Sequence, residues 1–223
     1  MIKHEKAPII IEPDKKANAS VIWLHGLGAD ANDFLPVVEQ LNFPGHQALR
    51  FVLPNAPVRS ISLNNGVSMQ GWYDIFGIGP EYPEDEKGIH ASCQYIESLI
   101  ENELQQGINA NRIILIGFSQ GGAVALHTGL RYQQTLAAVL ALSTYLPLRH
   151  SVVDEVSAEQ MATPFMFMHG THDNVVPIDF ADYSYKKLQN TELNVLWKEY
   201  PMEHTVCLQQ IQDINRFLVE LLD

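Results

Sequence analysis

The chain has 223 residues, 46% hydrophobic and 18% charged, with 14 Lys and Arg against 26 Asp and Glu for a formal net charge of −12. That length can bury the core of one α/β domain, and the acidic balance argues against binding nucleic acid or an anionic membrane through bulk electrostatics. Repeats, low-complexity linkers and any apolar run near the roughly 20 residues of a membrane span are absent, so a single domain over residues 1–223 is expected. The start, Met1-Ile-Lys-His-Glu-Lys6, lacks the apolar centre of a signal peptide, and the end, Glu220-Leu-Leu-Asp223, carries no prenylation motif. A cytoplasmic protein with at most transient membrane contact is therefore expected. Cys93 and Cys207 fall in helix-like segments and need no disulfide.

In chain order, Ile9 to Ile11 reads as a short edge strand. Val21-Ile-Trp-Leu24 reads as a buried strand running into His25-Gly-Leu-Gly28. Phe34, Val37, Val38 and Leu41 share one face of a helix predicted over 30–41. Leu49 to Leu53 is a further strand, closed by Pro54. Residues 54–80 form a long irregular stretch that nevertheless holds Ile61, Leu63, Met69, Trp72, Ile75 and Phe76. Connections of that length are functional or disordered, and this apolar content argues against disorder.

Pro83-Glu-Asp-Glu86 places acidic residues in the first turn of a helix. Its stripe is Ile89, Cys93, Ile96, Ile100 and Leu104, and Gly107 ends it. Ile113 to Ile116 is a mostly β-branched run, the pattern of a strand buried on both faces, and a helix follows through Ala123 to Leu126. Leu136 to Leu142 and Phe165 to Met168 are further strands. A helix is predicted over 178–188, a last strand at Val195 to Trp197, and a final helix over 206–222 with Leu208, Ile211, Ile214, Leu218 and Leu221 inward. This alternation predicts a mostly parallel sheet with helices on both faces.

Between the 113–116 strand and its helix lies Gly117-Phe-Ser119-Gln-Gly121, a G-x-S-x-G run in the strand–turn–helix setting of a nucleophile elbow. A Cβ at either glycine would clash in so tight a turn. A serine nucleophile needs a base, and the base an orienting acid. In hydrolases built on this motif the acid follows the serine and the histidine comes last. Asp173, past the end of the 165–168 strand, fits the acid. His204, past the last strand, is the one histidine downstream of it. Rivals are weaker: Asp179 and Asp182 fall on the solvated face of the next helix. His172 could be a base or, with His169, a metal ligand, but no third ligand is evident and no metal or cofactor is expected. His25 reads as a structural hydrogen-bonding residue. Acyl transfer also needs backbone N–H groups aimed at the developing oxyanion; Gln120, after the serine, and Leu27, between Gly26 and Gly28, fit that need.

His25-Gly-Leu-Gly-Ala-Asp30, Ala56-Pro57, Trp72-Tyr-Asp-Ile75, Gly117-Phe-Ser-Gln-Gly-Gly122, Leu142-Ser-Thr-Tyr-Leu-Pro147, His169-Gly-Thr-His-Asp173, Val176-Pro177 and Met202-Glu-His204 together resemble, in order, the acyl-protein thioesterase/carboxylesterase (phospholipase/carboxylesterase) family of α/β hydrolases. The resemblance spans nearly the whole chain. It implies an α/β-hydrolase fold, Ser119 as nucleophile, Asp173 as acid, His204 as base, and Leu27 and Gln120 as oxyanion donors. It also implies that residues 54–80 form a short cap beside an apolar acyl channel, with Trp72 near the site. Ala31, Gln70 and Thr205 stand where the family commonly has glycine, arginine and serine.

These expectations describe a serine hydrolase acting through an acyl-enzyme on small-molecule or lipidated-protein acyl esters or thioesters. A thiolate leaves with little need of protonation, since a free thiol titrates near pH 8.5. Candidate acyl contacts are Leu63, Met69, Trp72, Ile75, Phe76, Tyr145, Leu146 and Val176; burying six methylenes there is worth at most about 5 kcal/mol. A lysophospholipase uses the same chemistry and stands as the alternative. A catalytically silent hydrolase-fold binding protein is the non-enzyme alternative, against which the intact Ser119, Asp173 and His204 argue. A monomer or weak homodimer is expected.

Overall fold

In a computed structural model, which describes residues 6–79 and 81–223, the apolar runs pair side by side. Met1 to Glu5, most of the segment read for a signal peptide, and Pro80, the last residue of the 54–80 stretch, lie outside the described residues. The strands are β1 (Ile9–Ile11), β2 (Ala19–Leu24), β3 (Leu49–Leu53), β4 (Val58–Ile61), β5 (Val67–Gln70), β6 (Ile113–Phe118), β7 (Ala138–Leu142), β8 (Phe165–Gly170) and β9 (Val195–Tyr200). Seven of them make one sheet in the order β1-β3-β2-β6-β7-β8-β9. Every neighbouring pair in it is parallel except β1 with β3.

Because side chains alternate across a strand, each central strand feeds two cores. Ile22 and Leu24 of β2 and Ile113 and Leu115 of β6 face one core, shared with α2 (Glu86–Gln105) and α3 (Gln120–Arg131). Val21 and Trp23, with Ile114 and Ile116, face the other. There they meet Phe34, Val38 of α1 (Leu35–Val38), and Ile214 and Leu218 of α5 (Leu208–Leu222). Leu188 of α4 (Ile178–Gln189) joins the first core. All four side chains from Ile113 to Ile116 are fully buried, each contributing about 1.5–3 kcal/mol by leaving water. The α/β fold with helices on both faces of a mostly parallel sheet is thus as expected. No helix among the described residues is long and apolar enough to cross a membrane.

Three local expectations need correcting. The predicted 30–41 helix is a 3-10 turn, Ala31–Phe34, followed by one α turn. The Asp30 side chain accepts from Asn32 N–H at 2.9 Å, and Pro36 supplies no donor for a longer helix. Phe34 and Val38 are buried, but Val37 and Leu41 only half so. The 54–80 stretch is not irregular throughout: β4 and β5 pair antiparallel, from Val58 opposite Gln70 to Ile61 opposite Val67. Asn65 (φ 53°) and Gly66 (φ 77°) turn the chain in the left-handed region, and Asn64-Asn65-Gly66 is the sequence signal for it. In α5 the inward residues are Gln210, Ile211, Ile214, Leu218 and Leu222. Leu208, in the first turn, is 62% exposed, and the Gln210 amide takes the buried place there, reaching the Met168 carbonyl.

Helix α3 is buried along nearly its whole length, and its His127 is 3% exposed. His127 Nδ1 lies 3.2 Å from the Cys93 thiol of α2. Burial, with Arg131 and His90 adding to it, pushes His127 down to about 3 from its ordinary 6.5. Burial likewise pushes the Cys93 thiol up to about 12. An unfolded chain takes this proton first as pH falls below 6.5, so stability is lost between pH 6.5 and about 3. From this residue alone the loss is about 2 kcal/mol between about pH 7 and pH 5. Urea unfolding should show the pH slope flattened by that amount in His127→Gln; an unchanged slope would mean the imidazole takes up its proton in the folded state.

Candidate active site

Strand β6 runs straight into the turn that carries Ser119, and α3 begins at the next residue. Ser119 holds φ 54° and ψ −123°, a conformation that costs a non-glycine residue about 1–3 kcal/mol. Its N–H donates to the Leu142 carbonyl of β7 at 2.8 Å, and its carbonyl accepts from Ala123 at 3.1 Å. The flanking glycines are needed as expected. A Cβ on Gly121 would sit 2.5 Å from the His25 carbonyl oxygen and 2.7 Å from that of Leu24, and one on Gly117 would collide with the backbone of Gly121 and Gly122. Three backbones meet at this point.

Asp173 stands three residues past β8 and is 6% exposed. Its Oδ1 accepts from the N–H groups of Val175 (2.9 Å) and Val176 (2.8 Å). Its Oδ2 lies 2.7 Å from His204 Nδ1, and His204 Nε2 lies 2.9 Å from Ser119 Oγ. A carboxylate can only accept, so Nδ1–H donates to it, and Nε2 is left to accept the serine proton. The Phe118 ring packs on the His204 imidazole at 4.8 Å between centroids. The three side chains that the sequence singles out thus form one hydrogen-bonded row.

The rivals lie elsewhere. Asp182 pairs with Lys186 at 2.6 Å, and Asp179 and His172 are exposed. His169 falls inside β8, 1% exposed, with Nε2 2.8 Å from the Val176 carbonyl and 3.5 Å from Asp173 Oδ2. Burial lowers its basicity, so as a neutral ring it donates to Val176 and fastens the loop bearing the carboxylate. Among the described residues no three metal-ligating side chains gather. His25 has the structural place expected of it. Its Nε2 accepts from Ala56 N–H at 3.0 Å and its Nδ1 lies 2.7 Å from the Gly26 carbonyl. Burial lowers its basicity as well.

Leu27 and Gln120 both border the cavity that holds Ser119 and His204. Among the described residues neither has an intrachain partner for its N–H. The Leu27 loop is pinned where Gly28 N–H donates to the Gln70 carbonyl of β5 at 2.8 Å. The Gln120 side chain has a task that the sequence does not announce. Its Oε1 accepts from Trp72 N–H at 2.8 Å and its Nε2 donates to the Tyr73 carbonyl at 2.6 Å. The segment after β5 is thereby fastened to the first residue of α3.

The cavity encloses about 660 Å³. Leu63, Ile75, Tyr145, Leu146 and Val176, all candidate acyl contacts, line it; Met69, Trp72 and Phe76 do not. Trp72 is fully buried, its indole N–H donating to the His25 carbonyl at 2.8 Å. The bend after β5 sends Trp72 into the core, while Tyr73, 2% exposed, borders the cavity. Phe76 is 42% exposed on the outer surface, and the Met69 sulfur accepts from the Asn64 amide. Tyr73, Phe118, Leu148 and Phe180 also line the cavity, and no motif in the sequence marks them.

Comparison with known proteins gives a consistent result. A profile of the phospholipase/carboxylesterase family matches residues 5–222. The chain is 37% identical over 240 residues to acyl-protein thioesterase 1 of Cryptococcus neoformans, covering 99% of this chain and 98% of that one. It is 35% identical over 225 residues to acyl-protein thioesterase 1 of Emericella nidulans, covering 96% and 94%. In structure it resembles Arabidopsis thaliana SOBER1, with a TM-score of 0.88, 26% identity, and coverage of 93% of this chain and 100% of that chain. Zea mays acyl-protein thioesterase 2, at 24% identity, shares the fold with a TM-score of 0.87 over 97% of this chain and 99% of that one.

Proposed function

Since the chain belongs to the phospholipase/carboxylesterase family, we propose that it cleaves carboxylic esters and thioesters of acyl groups through Ser119, His204 and Asp173. The observation that carries this reading is the His204 ring, bonded on one side to Asp173 and on the other to Ser119 Oγ. Ser119 attacks the acyl carbonyl while Nε2 takes its proton. Asp173 keeps Nδ1 protonated and stabilises the imidazolium that forms. Charge gathering on the carbonyl oxygen is met by the N–H groups of Leu27 and Gln120. The alcohol or thiol leaves with the proton from Nε2 where it needs one, and water then attacks the acyl-enzyme by the same route. In this reading the chain acts as one domain, with residues 54–80 as a cap over the acyl group.

The fungal relatives named acyl-protein thioesterase support fatty acyl thioesters on proteins as the substrate class. A fluorophosphonate probe should label the protein and fail to label Ser119→Ala; an unlabelled wild type would end the enzyme reading. With labelling in hand, a fatty acyl thioester is expected to turn over faster than a lysophospholipid of the same chain. The reverse order would move the reading to the lysophospholipase.

A further inference from the structure

One part of the cavity wall carries hydrogen-bonding groups without enough partners. The hydroxyls of Tyr73 and Tyr145, which both line the cavity, lie 3.1 Å apart. One donates to the other, so the accepting tyrosine keeps a hydroxyl hydrogen that has no partner among the described residues. Glu84 lines the same cavity. Its Oε2 accepts from Leu148 N–H at 3.0 Å, while its Oε1 is buried and without a hydrogen bond among the described residues. The backbone of Glu84 bridges to Ile75, so the carboxyl is held between the 54–80 stretch and the 145–150 loop. Burial pushes both phenols upward, Glu84 adding to it, and they stay protonated donors. Burial also raises Glu84, against the pull of Arg149 and His150.

We infer that Tyr73, Tyr145 and Glu84 form a polar subsite inside the acyl cavity, and that it takes acyl groups carrying a hydroxyl on the chain. A hydroxyl both donates and accepts, so it can take the spare phenol hydrogen and give its own to an oxygen of the same wall. The match holds whether Glu84 is ionised and accepts or protonated and donates. A methylene in the same place leaves both groups unsatisfied, and an ammonium would meet the phenol donor with another donor. Sites that hydrogen-bond a substrate hydroxyl discriminate against the analogue that lacks it, because their own polar groups are then stranded.

This inference rests on the esterase reading and narrows its substrate class. The experiment uses p-nitrophenyl esters in matched pairs, one with a plain saturated chain and one with a hydroxyl moved along it carbon by carbon. The readout is the ratio of kcat/KM, hydroxylated over plain, in which effects common to both esters cancel. In the wild type that ratio should peak at about tenfold or more at one or two adjacent carbons. It should fall towards one in Tyr145→Phe and in Tyr73→Phe, two near-isosteric changes, so that misfolding of either leaves the other to decide. A plain ester preferred at every position, or a preference that survives both changes, overturns the subsite. If Ser119 still takes the fluorophosphonate, only the subsite falls; if it does not, both readings fall.

Discussion

Removing the imidazole in His204→Ala is expected to lower kcat on a p-nitrophenyl ester by about 10⁶-fold. The size follows from the row of contacts: among the described residues His204 alone touches both Ser119 Oγ and the Asp173 carboxylate. Without it, nothing takes the serine proton and the carboxylate orients nothing. Residues acting as one unit do not add, so Ser119→Ala on top of His204→Ala should cost almost nothing more. Asp173→Asn should be milder, about 10⁴-fold, because the ring remains and only its tautomer is wrong. Oδ2 accepts from Nδ1 at present; an amide nitrogen there would donate instead and turn Nε2 into the protonated side. Steady-state rates of the three variants and the double variant check this order. A double variant losing close to the product of the single losses would mean the three side chains act separately.

The second large effect is on folding. Gly121→Ala would set a methyl 2.5 Å from the His25 carbonyl oxygen and 2.8 Å from the Leu24 Cβ. Both belong to the end of β2 and the loop after it, in the middle of the sheet, so the neighbour that must give way is backbone. Overpacking costs about 1–3 kcal/mol where side chains can move, and more where they cannot. The expected cost here is at the top of that range or above it, about 3 kcal/mol or more, read as a lower urea midpoint or as loss of soluble protein. Gly45→Ala is the control, because a Cβ there meets nothing within 4 Å. Equal midpoints for the two variants would mean the turn relaxes far more than its packing suggests.

What sequence reading could reach depended on how local each signal was. The strand before Ser119 and the helix after it are visible because a β-branched run, a glycine-flanked turn and an apolar helix follow one another without interruption. His204 is visible because only one histidine lies after Asp173. The β4–β5 hairpin is hidden because Val58-Arg-Ser-Ile61 and Val67-Ser-Met-Gln70 alternate too weakly to read as strands. They pair through backbone groups and a left-handed turn. Trp72 misleads for a different reason. An aromatic residue beside a site suggests a ligand contact, yet the bend after β5 turns Trp72 inward to the His25 carbonyl and leaves its neighbour Tyr73 to meet the cavity. The polar subsite is the least legible feature. Glu84 is 11 residues from Tyr73 and 61 from Tyr145, and only the fold sets them on one wall.

The Gln120 amide has a consequence for how mutations in the neighbourhood will behave. One residue offers its backbone N–H to the reacting oxygen in our reading, and its side chain grips the Trp72–Tyr73 backbone at both ends. The wall that feels the acyl chain and the electrostatic trap that feels the transition state are therefore one mechanical unit. A substitution that loosens residues 72–73 is transmitted to chemistry as well as to affinity, so engineering a roomier acyl cavity from that side will tend to slow turnover. Enlarging it from Leu63, which borders the cavity and which Gln120 does not hold, avoids that penalty.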